Sequence, residues 1–306
     1  MTMKACASAP GKVILFGEHF VVYDKPALVS AIDLRAYAEV ERSDQGIVLD
    51  GWTGENPAVK ASAYVAEKLK YSGGINIRIR SSIPQSVGLG SSASVSVASA
   101  AATSLLLKGR LDLELIMRAA HIGESLVHYR PSGIDTTIAT YGGGGIYTRS
   151  KGFRSMDFNL DEILIINTGK ARRTGDLVKK VKEFRDAHKE EFEKILEDAE
   201  QIILEAADAL KAKDVEQIGK LMLRNQELLR RVGVSSKEIE DVIELCMKSG
   251  ALGAKLTGAG GGGCVIAVAE EGKIDLLRES IGKSFEVMKC GLMAKGVKED
   301  LFPDPP

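Results

Sequence analysis

Pro84-Gln85-Ser86-Val87-Gly88-Leu89-Gly90-Ser91-Ser92-Ala93 is the stretch of the sequence that says most about the fold. The run of small and β-branched residues that follows, from Ala93 to Leu107, is about 15 residues long, which predicts a tightly packed helix rather than a strand. A glycine-rich turn that opens a helix presents unpaired N–H groups at the positive end of the helix dipole, an arrangement that binds phosphate. Ser91 and Ser92 add hydroxyls that can bind a phosphate oxygen or Mg²⁺. A tight turn with a serine N-cap remains the alternative.

The residues before this stretch predict a strand. Ile75-Asn76-Ile77-Arg78-Ile79-Arg80 alternates apolar and polar side chains, as a half-buried strand does. The unit is therefore strand, glycine-rich turn and helix. It is not a Walker motif, because no Gly-Lys-Ser/Thr follows the glycines, and its short glycine spacing does not fit a dinucleotide fingerprint.

A second glycine cluster lies far along the chain. Lys255-Leu256-Thr257-Gly258-Ala259-Gly260-Gly261-Gly262-Gly263-Cys264 precedes the apolar run Val265–Val268. Glycines without side chains let the backbone approach a ligand or another segment closely. A flexible hairpin loop is the alternative interpretation of this cluster.

Two acidic residues flank a short turn. Glu124 ends a predicted helix, Leu111–Ser125, and Asp135 closes Pro131-Ser132-Gly133-Ile134-Asp135. Mg²⁺ prefers one or two carboxylates together with phosphate oxygens, and phosphoryl transfer benefits from a carboxylate that accepts the substrate hydroxyl proton. Either acid alone is more often a cap or a surface charge, and that alternative stays open here.

A third element stands near the beginning of the sequence, in Pro10-Gly11-Lys12-Val13-Ile14-Leu15-Phe16-Gly17-Glu18-His19. Lys12 and the Glu18-His19 pair bracket an apolar strand. By themselves these residues also fit a solvated lysine and an ordinary turn.

Composition excludes several classes of protein. The 306 residues carry a formal net charge of −1, so no global positive field would gather a nucleic acid. No apolar run approaches the roughly 20 residues of a membrane helix. The four scattered cysteines form no CxxC pair and the four histidines no HExxH pair, which argues against zinc sites and a disulfide framework. We expect a cytoplasmic protein with no nucleic acid and no membrane as partner.

The second half of the sequence has a different residue pattern from the first. Between Asp176 and Leu210, apolar residues recur at a helical period among many Lys and Glu residues. This pattern predicts one or two amphipathic helices packed on a core, with a coiled-coil partner surface as the alternative. We predict one domain over residues 1–155 and a second over 156–306.

The three motifs together resemble the GHMP kinase family. Pro10–His19, Pro84–Ala93 and Lys255–Cys264 occur in the family's order and span nearly the whole sequence, so their joint occurrence is far more specific than any one of them. The segments Gly17–Tyr23 and Pro131–Thr136 are most similar to the mevalonate kinases of the short, archaeal type.

The resemblance implies roles for individual residues. It implies Asp135 and Lys12 as catalytic residues. It implies a phosphate-binding loop for ATP, which comprises Pro84, Gly88, Leu89, Gly90, Ser91, Ser92 and Ala93. Ser92 and Glu124 match the Mg²⁺ ligands. The substrate-binding residues implied or inferred beside the matched segments are Glu18, His19, Arg149, Arg173 and Thr174.

The implied fold is α+β, with an N-terminal domain like ribosomal protein S5 domain 2, which contains a left-handed βαβ unit, and a ferredoxin-like C-terminal domain. The implied activity is ATP-dependent phosphorylation of mevalonate to 5-phosphomevalonate. The alternatives are a related kinase for phosphomevalonate, a sugar or another alcohol, and a nucleotide-binding regulator without catalysis. The sequence leaves open whether the protein is a homodimer.

Overall fold

The structure is a computed structural model that describes residues 4–126, 133–170 and 174–304. Eleven strands are found in these residues: β1 (Lys4–Phe16), β2 (Ala27–Ser43), β3 (Ile47–Leu49), β4 (Gly74–Ser81), β5 (Gly144–Thr148), β6 (Gly152–Ser155), β7 (Glu162–Asn167), β8 (Gly253–Thr257), β9 (Cys264–Val268), β10 (Glu286–Gly291) and β11 (Lys298–Glu299).

Nine α-helices lie within the same described ranges: α1 (Pro57–Lys68), α2 (Ser91–Lys108), α3 (Leu113–Glu124), α4 (Ile134–Tyr141), α5 (Thr174–Ala187), α6 (Lys189–Ala212), α7 (Val215–Arg231), α8 (Lys237–Lys248) and α9 (Ile274–Gly282). A short 3-10 helix covers Phe20–Tyr23. None of the helices in these ranges is long and apolar enough to cross a membrane.

The first sheet has seven strands and carries most of the predicted site. Its main path runs β11-β1-β2-β4-β3, and the hairpin of β5 and β6 extends from the other end of β2. Strands β3 and β4 are parallel and are joined through α1, which makes a βαβ unit. The left-handedness of that unit stays a prediction.

Helix α2 is buried on nearly every side, so its sequence contains mostly alanine and serine. The segment Ala98–Thr103 has no exposed surface, as expected for a helix without a polar face. Small side chains let its neighbours come close: the hydroxyl of Thr103 donates to that of Ser62 on α1 at 3.0 Å. The predicted helix Ala93–Leu107 is confirmed, and so is the strand Ile75–Arg80 within β4.

The second sheet has the strand order β10-β7-β9-β8, and all its neighbouring strands are antiparallel. If β7, β8, β9 and β10 are numbered 1 to 4 in chain order, the spatial order of the sheet is 4-1-3-2. With helices between the first two strands and between the last two, this is the predicted ferredoxin-like arrangement. The charged segment Asp176–Leu210 forms two helices, α5 and α6, and the apolar face of α6 packs on the core.

One apolar core runs between the two sheets. It joins Phe16 and Leu28 of the first sheet to Ile165 and Val265 of the second. The predicted boundary near residue 155 falls between β6 and β7, but β11 pairs with β1 and so returns to the first sheet. The division at residue 155 stays a prediction.

Candidate active site

The glycine-rich turn between β4 and α2 has the geometry of an anion-binding loop. Gly88 and Gly90 have φ values of 95° and 74°, which favour glycine because other residues meet steric strain there. Gly90 is the N-cap of α2, and no side chain caps the helix there. The alternative of a serine N-cap is therefore wrong for this turn, and the first-turn amides are not satisfied by a capping side chain.

Lys12 is held directly beside this turn. Its backbone N–H donates to the carbonyl of Leu89 at 2.9 Å, and its ammonium donates to the carbonyl of Gly88 at 3.2 Å. The hydroxyl of Ser94 donates to the carbonyl of Pro10 at 2.7 Å, which ties α2 to the same strand. These contacts fix β1 against the loop, so the solvated-lysine interpretation is wrong: Lys12 is only 6% exposed.

Asp135 faces Lys12 from α4. Its Oδ1 lies 3.3 Å from Lys12 Nζ, and 29% of the Asp135 side chain is exposed. Helix α4 has Gly133, at φ 81°, as its N-cap, and none of the described side chains caps it. Asp135 therefore stands in the first turn, pointing at the lysine, and is not the helix cap. The predicted ion pair is present, and the catalytic roles of its two members stay predictions.

Ser92 and Glu124 are brought towards each other by the packing of α3 on α2. A Cβ atom added to Gly123 would lie 2.8 Å from Ser96 Oγ, so α3 approaches α2 as closely as glycine allows. Ser92 stands one turn before Ser96, and Glu124 follows Gly123. Glu124 is 2% exposed, and the Ser92 hydroxyl oxygen is buried without a hydrogen-bond partner among the described residues.

This pair fits Mg²⁺. The buried hydroxyl oxygen of Ser92, which has no partner in the described part of the chain, and the buried carboxylate of Glu124 are hard oxygen ligands. ATP phosphates would supply further oxygens. No cluster of three His, Cys, Asp or Glu occurs in the parts of the chain that the structure describes. A site with one carboxylate does not need such a cluster, since Mg²⁺ keeps several waters and phosphate oxygens.

Glu124→Gln should weaken the binding of Mg²⁺ in the presence of nucleotide, because an amide carries no negative charge. We expect the half-saturating Mg²⁺ concentration to rise at least about tenfold, equivalent to about 1.4 kcal/mol. Calorimetric titration of Mg²⁺ into the protein with a non-hydrolysable ATP analogue measures this without turnover. Glu114→Gln is the matched control, since Glu114 lies on the same helix and is 71% exposed. Equal Mg²⁺ affinity of the two variants would remove Glu124 from the metal site.

Glu18 and His19 lie where β1 meets the second sheet. The Glu18 carboxylate is fully buried and accepts from Lys255 Nζ at 2.5 Å. Burial raises the pKa of Glu18 and lowers that of Lys255, while each charge opposes the shift of the other. The His19 ring, 8% exposed, lies with Nε2 2.8 Å from the carbonyl of Ala259 in the second glycine cluster. Substrate binding by Glu18 and His19 stays a prediction.

Arg149 lies in the turn between β5 and β6. That turn is tied to the residue after the 3-10 helix, because Ser150 N–H donates to Asp24 Oδ1 at 2.7 Å. The pairing of Tyr147 with Ala27 and of Leu28 with Phe16 places the turn at the Glu18 end of β1. Arg173 lies outside the described residues, as does the Pro131-Ser132 turn. Only the backbone of Thr174, at the start of α5, is described.

The second glycine cluster connects the two sheets. Gly260 and Gly261 have positive φ values, and an added Cβ at Gly260 would lie 2.3 Å from the carbonyl of Val234. The hydroxyl of Thr257 donates to the carbonyl of Ile14 at 2.9 Å. The cluster is the loop of the antiparallel hairpin of β8 and β9, so the hairpin interpretation is confirmed. The loop is also packed closely against its own half and against β1, as the close-approach interpretation predicts.

Sequence reasoning missed the ionic role of Lys255, although the residue was within a quoted motif. A signal was available: Lys255 is the charged residue in a short strand otherwise composed of Gly253, Ala254, Leu256 and Thr257. A lysine that is buried in a strand needs a paired charge, because leaving it alone there costs several kcal/mol. The pattern could therefore have predicted a partner, though not which carboxylate.

Two family models and several known proteins are similar to this chain. Residues 56–143 match the family described as GHMP kinases N terminal domain, and residues 206–287 match GHMP kinases C terminal. A mevalonate kinase of Archaeoglobus fulgidus is 41% identical over 268 residues, which cover 86% of this chain and 91% of that protein.

Two solved structures are similar over nearly the whole chain. The L. major mevalonate kinase in complex with R-mevalonate has a TM-score of 0.85 at 30% identity and covers 97% of each chain. The Methanococcus jannaschii mevalonate kinase has a TM-score of 0.82 at 30% identity, covering 96% of this chain and 99% of that one. The two matched domains, the relatives and the two-sheet fold lead to one assignment: the chain belongs to the GHMP kinase family.

Proposed function

We propose that the protein transfers the γ-phosphoryl group of ATP to the primary hydroxyl of mevalonate, which gives 5-phosphomevalonate and ADP. The observation that carries this proposal is the ion pair of Lys12 and Asp135, 3.3 Å apart, beside the glycine-rich loop at Gly88. The mevalonate kinases that this chain resembles, one of them solved with R-mevalonate, support mevalonate as the substrate.

The loop Gly88–Ser92 would bind the ATP phosphates. Backbone N–H groups at the start of α2 point along the helix axis and favour negative charge. Lys12 Nζ, already at the Gly88 carbonyl, adds a full positive charge beside the transferring group. Ser92 and Glu124 would hold Mg²⁺, which when bound neutralises part of the charge of the phosphates.

Asp135 would act on the substrate hydroxyl. The hydroxyl oxygen forms a bond to the γ-phosphorus while the bond from phosphorus to the ADP oxygen breaks, and the hydroxyl proton moves to the Asp135 carboxylate. Because phosphoryl transfer has a loose transition state, that proton leaves late, and orientation of the hydroxyl is the larger part of the aspartate's contribution.

An ADP-release assay over a panel of alcohols tests the proposal. The panel contains mevalonate, 5-phosphomevalonate, galactose and a reaction without alcohol. We expect kcat/KM for mevalonate to exceed that of each other alcohol at least about 100-fold, which corresponds to about 2.7 kcal/mol. A higher kcat/KM for another alcohol in the panel would show that the protein is a kinase for that alcohol instead. ATP binding without any turnover would indicate a regulator.

Arg149→Met should raise KM for mevalonate and leave KM for ATP unchanged. Mevalonate carries a carboxylate, and an exposed arginine at the Glu18 end of β1 can pair with it. A charged hydrogen bond contributes about 1.5–3 kcal/mol, so KM should rise about 10- to 100-fold. Lys151→Met, in the same turn, is the matched control. If both variants keep the KM of the wild type, the carboxylate is bound elsewhere.

We propose that Arg173 and Thr174 also bind mevalonate. Thr174 is the first residue of α5, and Arg173 precedes it in the sequence. A cytoplasmic location and a homodimer stay predictions.

A further inference from the structure

Residues 292–300, which we name the return segment, follow β10 of the second sheet and cross back to the first. The segment includes β11, which pairs with β1. Before it reaches β1 it passes the end of α4, the helix that carries Asp135 in its first turn. The contacts between the return segment and α4 therefore bear on the position of the proposed catalytic carboxylate.

The end of α4 lies against the return segment without room for a side chain. Gly142, the C-cap of α4, forms an antiparallel bridge with Lys295. A Cβ atom added to Gly142 would lie 2.1 Å from the backbone nitrogen of Gly296, and one added to Gly296 would lie 2.3 Å from the carbonyl oxygen of Thr140. Both positions therefore require glycine, because a Cβ atom at either one would displace backbone.

Hydrogen bonds hold this contact in place. The N–H of Val297 donates to the carbonyl of Thr140 at 3.1 Å, and the N–H of Gly143 donates to the carbonyl of Ala294 at 2.9 Å. The carbonyl of Thr140 is among the last four of α4, which have no partner within the helix. The return segment thus supplies a donor that the end of the helix needs.

Arg35 of β2 holds the return segment from the side of the first sheet. Its side chain is nearly buried, and the two terminal nitrogens donate to the carbonyls of Lys295 and Gly296, each at 2.8 Å. The same guanidinium donates to the hydroxyl and the carbonyl of Ser8, at 2.8 and 2.9 Å. A planar group with four hydrogen bonds leaves the backbone that it binds little freedom.

The strand that carries Lys12 is bonded to the same place. In the register of the first sheet, Ala31 of β2 is the partner of Lys12. The N–H of Ala31 donates to the carbonyl of Gly143 at 2.8 Å, and its carbonyl accepts from the N–H of Ala294 at 3.3 Å. The residue after α4 and the return segment are thus both attached to the residue that lies opposite Lys12.

We propose that the return segment positions Asp135 for phosphoryl transfer, with Gly296 and Arg35 as its positioning residues. Helix α4 has only eight residues, about 12 Å in length, so a displacement of its end is passed on to the carboxylate in its first turn. A misplacement of about 1 Å can lower a rate about 100-fold. The inference rests on the proposed function only in requiring a phosphoryl transfer that uses Asp135.

Gly296→Ala tests the proposal directly. Ordinary contacts of a Cβ atom begin at 3.4 Å, so a Cβ atom 2.3 Å from the Thr140 carbonyl forces a shift of about 1 Å at the end of α4. We expect kcat per folded molecule to fall at least about tenfold, with KM for ATP and for the alcohol within about threefold of the wild type. A folded variant with the kcat of the wild type overturns the proposal.

The same substitution in an Asp135→Asn protein separates positioning from general damage. If the return segment acts through Asp135, Gly296→Ala should lower the residual kcat of Asp135→Asn by less than about threefold. A larger fall would show that the substitution acts on other groups, and it overturns the proposal. The slow residual rates are measured in single turnovers, with the protein in excess over ATP.

Gly282→Ala is the matched control. Gly282 is the last residue of α9, and a Cβ atom added there would meet no atom within 4 Å. Its kcat should equal that of the wild type. All variants are compared on the alcohol that the wild type phosphorylates fastest. Failure of mevalonate in the wild type therefore counts against the proposed function, while the ratio of variant to wild type tests the return segment.

Folding is measured alongside activity, by circular dichroism and melting temperature, because Gly296→Ala crowds the backbone. If that variant does not fold, Arg35→Lys decides. An ammonium keeps the positive charge but lacks the planar fork that binds the carbonyls of Lys295 and Gly296 together. We expect its kcat to fall at least about tenfold with both KM values within about threefold of the wild type, and a smaller fall overturns the proposal.

Discussion

Asp135→Asn is expected to lower kcat by about three to five orders of magnitude, a loss of about 4–7 kcal/mol of transition-state stabilisation. Asparagine keeps the shape of the side chain in the first turn of α4, but its neutral amide orients the hydroxyl less firmly than an ionised carboxylate does and cannot accept the hydroxyl proton. It also removes the negative partner of Lys12, which lies 3.3 Å away. ATP affinity should change little, because the carboxylate is proposed to face the alcohol. Steady-state kinetics and calorimetric titration of ATP measure the two quantities.

The control for Asp135 is an aspartate that really caps a helix. Asp112 accepts from the N–H of Leu115 at 3.2 Å and is the N-cap of α3. Asp112→Asn should therefore keep kcat, since Asn caps about as well as Asp. Asp112→Asn should change the stability by no more than about 1 kcal/mol. The melting temperature is measured for both variants, because Asp135→Asn also removes the carboxylate beside the nearly buried Lys12. If stable Asp135→Asn retains more than about a tenth of the wild-type kcat, Asp135 is not a catalytic residue.

Gly90→Val should weaken ATP binding at least about 100-fold, or about 2.7 kcal/mol. Gly90 has a φ of 74°, and a Cβ there would lie 3.1 Å from Lys12 Cγ. A β-branched residue must therefore change the conformation of the turn, press on Lys12, or do both. Either change turns the first N–H groups of α2 away from the phosphates.

Gly109→Val is the control that separates the effect of backbone strain from the loss of ATP binding. Gly109 ends the same helix at a φ of 70°, and an added Cβ would meet no atom within 4 Å. Both substitutions should cost about 1–2 kcal/mol of stability through the left-handed backbone. Only Gly90→Val should change the dissociation constant for ATP. A folded Gly90→Val protein that binds ATP normally would show that this loop does not hold the phosphates.

Local features of this protein were predictable from its sequence. The period-two pattern of β4, the apolar spacing of α6 and the long small-residue run of α2 each predict the element that forms. Such patterns work because alternate or near-helical spacing places apolar side chains on one face. The order of the three motifs was enough to identify the family, which the domain matches and relatives confirm.

Contacts across long sequence distances were not predictable in the same way. The pairing of Lys255 with Glu18 depends on how β8 of one sheet faces the end of β1 of the other, and no short pattern encodes that packing. The alternative interpretation that a serine is the N-cap of α2 was also wrong, because the N-cap is Gly90. Glycine takes that position because a positive φ lets the backbone reach Lys12, a tertiary requirement that outweighs capping preference.

The candidate site was only partly accessible to sequence reasoning. Lys12 and Asp135 come together as predicted, since α4 packs on β1. The burial of Glu18 was not foreseen, because its motif places it at the end of a strand, where exposure is usual.

The pairing of β11 with β1 has a consequence for how the protein is made. Ser8 and Asp300 share a hydrogen bond although they are 292 residues apart, so β11 can cover this part of the β1 edge only after the residues between them have been synthesised. An unpaired strand edge is a template for wrong partners, and synthesis at about 5–20 residues per second leaves it exposed for tens of seconds. During that time this part of the β1 edge can pair with a wrong strand of the same chain or of a neighbouring one.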